Sequence, residues 1–302
     1  MLGIHVNRDH APGPRPGIVA HIVAAREEAR SAADVCLEAA SIFVGGPKNR
    51  NITLTPPERA ELKRFVEATG VRVIAHSAYS AAPWSGDPDA ARYIREELSV
   101  CAQSGIEGLV VHLPKRPVAD VMRYIGRLVE PSAAGVRVYL ETPAVKPSES
   151  YYETPAKLAA LFREIRRELD PRSERFGLCV DTAHLWTCGV DVASRAAAES
   201  WLHDLEAEAA DIPPEAVMIH LNDSKRERGV GPDAHEALCE GRIWERYARN
   251  LGASGLAAVV EYARRHGTPM ILERKPNAAL VRDYLLLRGL LPCSAGEDAR
   301  LG

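Results

Sequence analysis

The chain has 302 residues with 38 Lys+Arg against 41 Asp+Glu, and its formal net charge of −3 is not typical of a protein that coats DNA or an anionic membrane. Hydrophobic residues make up 46% and charged residues 26%, a composition that excludes wholesale disorder. Charged residues interrupt every apolar stretch before it reaches the ~18 residues of a membrane span, and the first residues lack a signal-peptide pattern. We therefore expect an intracellular protein that is neither secreted nor inserted in a membrane.

Eight short aliphatic runs alternate with segments of helical period along the chain, and each run is predicted as a β-strand. In chain order they are Leu2–Val6, Ser41–Val44, Arg72–His76, Gly108–His112, Val136–Glu141, Gly177–Asp181, Val217–Asn222 and Met270–Glu273.

Helix signals lie between the strands. Thr55-Pro56-Pro57-Glu58 combines an N-cap, Pro at the first helical position and Glu at the third, and Gly70 marks the end of that helix. Thr154-Pro155 predicts the start of another helix. Two segments carry apolar residues at helical spacing, namely Ile94, Leu98 and Cys101 in one and Leu158, Leu161, Phe162, Ile165 and Leu169 in the other.

A strand and a helix repeated eight times predict an α/β fold in which a parallel sheet closes into a (β/α)₈ TIM barrel. The alternative is a doubly wound sheet, but the dinucleotide or P-loop glycine pattern expected after its first strand is missing. The alternation covers residues 1–290 as a single domain, and the polar residues 291–302 are predicted to form a frayed tail.

Residues able to bind a metal lie at or near the carboxyl ends of six predicted strands, and these ends meet at one mouth of a barrel. Three more follow in loops, within Asp181-Thr-Ala-His184 and Asp233-Ala-His235. The nine candidate ligands are His76, His112, Glu141, Asp181, His184, His220, Asp233, His235 and Glu273. Nitrogen and carboxylate ligands suit zinc, manganese or iron, and nine ligands are enough for three ions with positions left for water and substrate. The six cysteines are scattered without a CxxC pair, which favours reduced thiols.

Several motifs resemble those of endonuclease IV, the AP (apurinic/apyrimidinic) endonuclease family 2 of DNA base-excision repair. They are Ala75-His76-Ser-Ala-Tyr79, Val111-His112, Leu140-Glu141-Thr142, Cys179-Val-Asp181-Thr-Ala-His184, His220-Leu-Asn-Asp-Ser-Lys225, Asp233-Ala-His235 and Leu272-Glu273. His184-Leu-Trp186 and Gly241-Arg-Ile-Trp244 are similar to the branch carried by large DNA viruses. The resemblance implies the xylose-isomerase-like superfamily of TIM barrels.

The resemblance also implies a division of the ligands among three zinc ions, with Mn²⁺ as a possible substitute. The first ion would bind His76, His112 and Glu141, and the third would bind His184, Asp233 and His235. The second would bind Glu141 as a bridging ligand together with Asp181, His220 and Glu273.

The implied reaction is hydrolysis of the phosphodiester 5′ to an abasic site in double-stranded DNA, which leaves a 3′-hydroxyl. It needs no protein nucleophile, because water activated between metal ions attacks phosphorus. Glu141 and Glu273 are the candidate catalytic residues, the latter as a ligand that also orients the attacking water. Accompanying 3′-phosphodiesterase or exonuclease activity is compatible with the resemblance.

DNA contacts are predicted in the loops at the barrel mouth. Tyr79 matches the family's tyrosine that fills the gap of a flipped-out abasic nucleotide, and Arg50 is a counterpart of its inserted arginine. Basic residues of these loops would follow the phosphate backbone: Lys48, Arg50, Lys115, Arg116, Lys146, Lys225, Arg226, Arg228, Arg274 and Lys275. Bound zinc would change the formal charge from −3 to +3 and concentrate positive charge at the mouth.

Two other functions fit parts of the sequence. A metal-dependent sugar isomerase or epimerase on the same barrel would use one or two ions and would not need His184, Asp233 and His235 together. A non-catalytic DNA-binding module would have a broken ligand set, whereas all nine positions are filled here. For the main hypothesis we expect a monomer in the nucleus or cytoplasm of a host cell, or packaged in a virion.

Overall fold

A closed parallel barrel of eight strands is the centre of the molecule. The computed structural model describes residues 1–13, 16–129 and 131–291, so most of the predicted tail, 292–302, lies outside the described residues. The barrel strands are β1 (Leu2–His5), β2 (Ala39–Phe43), β3 (Arg72–His76), β4 (Gly108–His112), β5 (Arg137–Glu141), β6 (Phe176–Asp181), β7 (Val217–His220) and β10 (Met270–Leu272). Their order around the barrel is β1-β10-β7-β6-β5-β4-β3-β2, which confirms the TIM barrel and rules out the doubly wound sheet.

Helices surround the barrel. They are α1 (Ile18–Ala33), α2 (Pro56–Thr69), α3 (Pro88–Gln103), α4 (Val118–Ile125), α5 (Pro155–Leu169), α6 (Thr182–Thr187), α7 (Arg195–Glu208), α8 (Gly255–His266) and α9 (Ala278–Arg288). The helix signals are confirmed: Thr55 and Glu58 form a capping box on α2, which ends at Gly70 in a left-handed conformation. Among the described residues, every helix is too short or too polar to cross a membrane.

Four strand ends near the mouth differ from the prediction: β1 ends at His5 rather than Val6, and β2 ends at Phe43 rather than Val44. β7 ends at His220 rather than Asn222, and β10 ends at Leu272 rather than Glu273. Beyond β7 and β10 the backbone N–H groups of Asn222 and Glu273 donate to side-chain oxygens, Thr182 Oγ1 at 2.9 Å and Asn222 Oδ1 at 3.3 Å, instead of to a neighbouring strand. After β7 the chain adds a short hairpin, β8 (Asp223–Ser224) with β9 (His235–Glu236), which the sequence did not predict.

The barrel interior is filled by one residue from each of seven strands. They form a cluster separate from the outer core: Ala39, Ile74, Val110, Tyr139, Cys179, Met218 and Ile271. Tyr139 is the largest of them, and it fits because the neighbouring strands carry Gly108 and Gly177, where a Cβ atom would lie 2.5 Å and 2.8 Å from its ring.

The spacing of this interior cluster fixes the direction of the mouth residues. Side chains two residues apart on a strand point to the same face. Six candidate ligands lie two positions after an interior residue and therefore point inward at the carboxyl end: His76, His112, Glu141, Asp181, His220 and Glu273.

Candidate metal centre

The nine predicted ligands come together at the mouth of the barrel. Six are placed there by the ends of β3, β4, β5, β6, β7 and β10. His184 lies on α6, the short helix that starts at the end of β6, and Asp181 caps that helix by accepting the His184 N–H at 2.9 Å. Asp233 and His235 reach the mouth from the hairpin.

The first ligand group contains His76, His112 and Glu141, with ligand atoms within 4.8 Å of one another. The Glu141 carboxylate oxygen Oε2 lies 2.9 Å from His112 Nε2 and 3.3 Å from His76 Nε2. His76 Nδ1 lies 2.8 Å from the Ser77 carbonyl, which can only accept, so Nδ1 carries the hydrogen. His76 Nε2 therefore presents a lone pair, and it faces His112 Nε2 at 3.3 Å. Such a convergence of acceptors fits a bound cation.

The second ligand group contains Glu141, Asp181, His220 and Glu273. His220 Nδ1 lies 2.7 Å from Glu141 Oε1, 3.5 Å from Glu273 Oε2 and 3.9 Å from Asp181 Oδ2. Glu141 Oε2 thus faces the first ligand group and Glu141 Oε1 faces the second, which is the arrangement expected of a bridging ligand.

The third ligand group lies beside the second. His235 Nε2 is 3.0 Å from Asp233 Oδ1, and His184 Nε2 is 3.5 Å from Asp233 Oδ2. His184 Nδ1 lies 2.7 Å from the Thr142 carbonyl, so Nδ1 carries a hydrogen, and Nε2, which faces a carboxylate, is the nitrogen that a cation can bind in place of a proton. Asp181 Oδ2 lies 3.6 Å from His235 Nε2, so Asp181 stands between the second and third groups, a position that the sequence did not predict.

Unpaired atoms and charge both fit divalent cations here. Among the described residues, Glu141 Oε2, His184 Nε2 and His235 Nε2 are buried and lie 2.9–3.5 Å from other ligand atoms, yet none of the three makes a hydrogen bond of good geometry. Burial alone would raise the pKa of Glu141, but His112 and His220 outweigh it and hold the pKa well below its ordinary value. Burial would lower the pKa of His184, yet Asp181 and Asp233 raise it well above its ordinary value. The site therefore attracts positive charge, as a site for divalent metal ions requires.

Three residues beside the ligands were not assigned a role from the sequence. Asn222 Nδ2 donates to Asp181 Oδ2 at 2.8 Å as well as to Glu273, so one amide orients two ligands. The Thr142 carbonyl orients His184. Cys179 lies within the reach of Glu141 and His220. Burial raises the pKa of its thiol to about 12, and the side chain belongs to the apolar cluster of the barrel interior beneath the ligands.

Asp223 organises the loop that carries Asp233 and His235. Its fully buried carboxylate accepts hydrogen bonds from four backbone N–H groups, those of Ser224, Cys239, Ile243 and Trp244. Gly241 passes so close that a Cβ atom there would lie 2.4 Å from Asp223 Oδ1. The loop is therefore folded around this one carboxylate.

Asp223→Asn is expected to lower the free energy of unfolding by about 2–4 kcal/mol at pH 4 and by less at pH 8, because an amide NH₂ then faces backbone N–H groups that Asp223 accepts from. Burial raises the pKa of Asp223 from 3.8 to about 6. The stability that this group contributes is fully present below its ordinary pKa and is lost as pH rises through about 6. Urea titrations should therefore show a larger difference between wild type and variant at pH 4 than at pH 8.

The exposed Asp204 on α7 provides the control, since Asp204→Asn should change stability little at either pH. A difference between wild type and Asp223→Asn that does not vary with pH would contradict the assignment.

The residues predicted to contact DNA have different surroundings. Tyr79 is 61% exposed, and its ring lies 5.6 Å and 5.7 Å from the rings of His76 and His112. Lys115 pairs with Glu149 at 2.9 Å on the surface, and Lys225 lies 3.8 Å from Glu236. Lys225 and Arg226 are both exposed in the hairpin loop. These side chains remain accessible to a ligand at the mouth.

Arg50 and Arg274 are held by other parts of the protein. Arg50 donates to the Ser80 carbonyl at 2.8 Å and to Asp87 at 2.5 Å. Since Ser80 follows Tyr79, these hydrogen bonds stabilise the loop that carries Tyr79. Arg274 does not fit the predicted DNA contact: its side chain is only 9% exposed, and it pairs with the buried Asp283 at 3.2 Å. A guanidinium enclosed in this way links β10 to α9 rather than offering a surface for phosphate.

Comparisons with known proteins agree with this fold and site. The family described as "Xylose isomerase-like TIM barrel" matches residues 29–287. A probable AP endonuclease of African swine fever virus (isolate Tick/South Africa/Pretoriuskop Pr4/1996) is 36% identical over 261 residues, which cover 84% of this chain and 86% of the viral protein. A probable endonuclease 4 of Chloroflexus aurantiacus is 28% identical over 255 residues, or 79% of this chain and 84% of that protein.

A solved structure is also similar over nearly the whole chain. The crystal structure of AsfvAP:AG matches with a TM-score of 0.89 and 33% identity, covering 96% of this chain and 98% of that one. The chain therefore belongs to the endonuclease IV family of AP endonucleases, on the branch that includes the viral protein and within the xylose isomerase-like TIM barrels.

Proposed function

We propose that the chain is a zinc-dependent AP endonuclease that binds three metal ions and hydrolyses the phosphodiester 5′ to an abasic site in double-stranded DNA, leaving a 3′-hydroxyl. Membership of the family makes it a hydrolase that acts on DNA. The number of metal ions and the hydrolytic mechanism are proposed from the geometry of the ligands. We extend the proposal to Mn²⁺ as a substitute metal, to a 3′-phosphodiesterase or exonuclease activity at the same site, and to a monomer.

The observation that carries the proposal is the third ligand group, His184, Asp233 and His235, beside the other two. A sugar isomerase on this barrel would need one or two ions, and it would have no use for a third group. A DNA-binding module without chemistry would not retain buried, unpaired ligand atoms in His184 and His235, whose desolvation costs free energy. Hydrolysis with several metal ions is therefore favoured over both alternatives.

The chain's own residues prepare the centre. Carbonyl groups of Ser77 and Thr142 hold His76 and His184 in the tautomer that presents Nε2 to the mouth. The Asn222 amide fixes Asp181 and Glu273, the latter at the open side, where we assign it the added role of orienting the attacking water. Divalent ions held by these ligands would supply an activated water and neutralise charge that develops on the phosphate.

Recognition of DNA would depend on the mouth loops. Tyr79 stands over His76 and His112 with most of its ring exposed, where a side chain can fill the space left by an unstacked nucleotide. Exposed basic residues lie around it in separate loops, namely Lys48, Lys115, Arg116, Lys146, Lys225, Arg226, Arg228 and Lys275. Together they would neutralise phosphates on both sides of a lesion.

Tyr79→Ala is expected to weaken binding to a duplex with one abasic site by about 10-fold or more, because aromatic stacking contributes about 1–3 kcal/mol. Binding to intact duplex should change little, since the basic loops are untouched. Fluorescence anisotropy with both duplexes measures the difference. Tyr79→Phe keeps the ring and should behave as wild type, and equal affinities of the alanine variant and wild type for the abasic duplex would refute this role.

The proposed activity is tested by incubating the zinc-loaded protein with a labelled duplex that contains one tetrahydrofuran abasic analogue. We expect incision 5′ to the lesion and a product that a DNA polymerase extends directly, because its end is a 3′-hydroxyl. A protein that carries its zinc ions and leaves the duplex intact would overturn the proposal.

A further inference from the structure

A buried carboxylate outside the ligand set lies behind the first ligand group. Glu97 is on α3 with an exposure of 0%. It shares its helix face with the apolar residues Ile94, Leu98 and Cys101, which are also buried. Burying a carboxyl group in such surroundings costs free energy unless hydrogen bonds replace those it made to water. Glu97 therefore needs hydrogen-bond donors inside the protein.

Two hydrogen-bond partners of Glu97 lie on the segment that follows β3. Glu97 Oε2 accepts from the Ser77 hydroxyl at 2.5 Å, and Glu97 Oε1 accepts from the Ala78 N–H at 3.2 Å. This segment lies directly between His76, a ligand of the first group, and Tyr79. Both oxygens of the Glu97 carboxylate therefore bind the Ser77–Ala78 segment.

The contact with Ala78 continues to His76 through a single peptide unit. The Ala78 N–H and the Ser77 carbonyl are the two ends of the same planar peptide. Its carbonyl end accepts from His76 Nδ1 at 2.8 Å, while its N–H end donates to Glu97. Hydrogen bonds at both ends fix the plane of the peptide, and they polarise one another in the same direction.

We propose that Glu97 is a positioning residue for the first metal, acting through the Ser77–Ala78 peptide to hold the His76 ring with Nε2 toward Glu141 and His112. This arrangement corresponds to a carboxylate that orients a metal-binding histidine, with a peptide group inserted between them. The inference rests on the proposed occupation of the first group by a metal.

Zinc affinity measured by chelator competition on the full-length, zinc-loaded protein tests the proposal. Glu97→Leu removes the acceptor, so one of the three ions should be held about 10- to 100-fold more weakly, the usual effect of losing a residue that orients a ligand. Glu97→Gln can still accept from the Ala78 N–H and should stay within about 3-fold of wild type. The other two ions should be unaffected in both variants.

Glu96→Leu is the matched control, because Glu96 is the next residue on α3 and is exposed. It should bind all three ions as wild type does. Retention of all three at wild-type affinity by Glu97→Leu would overturn the inference. Circular dichroism reports whether Glu97→Leu folds. If it does not, Ser77→Ala carries the test, since it removes one of the two hydrogen bonds that the carboxylate accepts and should weaken one ion by about 10-fold, the lower end of that range. Unchanged affinity in Ser77→Ala would then overturn the inference.

The result also separates this inference from the proposed function. A wild-type protein that takes up no zinc would contradict both. A wild-type protein with three ions and a Glu97→Leu variant with the same affinities would contradict the inference alone.

Discussion

Glu273→Gln is expected to lower the rate of incision at an abasic site by about 10³-fold, while the protein remains folded. Glu273 Oε2 lies 3.5 Å from His220 Nδ1 and 3.6 Å from His235 Nδ1, and it accepts from the Asn222 amide. A glutamine keeps the shape of the side chain but has lost the negative charge that a cation and an attacking water require. Single-turnover incision of a duplex with a tetrahydrofuran site measures the effect.

Glu240→Gln is the control for this variant. Glu240 is an exposed carboxylate that pairs with Arg282 at 2.7 Å, so its loss should leave incision at the wild-type rate. A fully active Glu273→Gln variant would refute the assignment of Glu273.

His235→Ala is expected to reduce the bound metal from three ions to two per chain and to abolish incision. His235 Nε2 lies 3.0 Å from Asp233 Oδ1, and without the ring the third group retains only His184 and Asp233 as its assigned ligands. The ring is partly exposed at the start of a two-residue strand, so its removal should change the fold little. Metal analysis and the incision assay on the same sample measure the two effects.

His203→Ala provides the comparison, because His203 is exposed on α7. It should retain three ions and full activity. Three bound ions together with unimpaired incision in His235→Ala would show that the third group is not part of the active centre.

The strand and ligand pattern could be predicted from the sequence because it depends on local periodicity. A residue two positions after an inward core residue points the same way, so the interior cluster of Ile74, Val110 and Cys179 already determines that His76, His112 and Asp181 face the mouth. Helix ends such as Thr55 and Gly70 follow from capping chemistry, which is also local.

The supporting contacts could not be predicted because they join residues distant in the chain. Arg95-Glu96-Glu97 is typical of a solvated helix surface. Glu97 is nevertheless buried, and its carboxylate accepts from the Ser77 hydroxyl, 20 residues earlier in the chain. Arg274 follows a strand end and was predicted to bind DNA, but Asp283 on α9 encloses it. Asn222 and Asp223 lie within a recognisable motif, but the motif does not predict their hydrogen-bond partners. Asn222 donates to Asp181, and Asp223 accepts from Cys239, and both partners are distant in the chain.

The central claim is that three divalent ions occupy this mouth together, and the metal-to-protein ratio of the purified chain tests it most directly. Inductively coupled plasma mass spectrometry with amino-acid analysis should give three zinc ions per chain, or manganese in their place. A ratio of one or two ions, as in an isomerase barrel, would contradict the account.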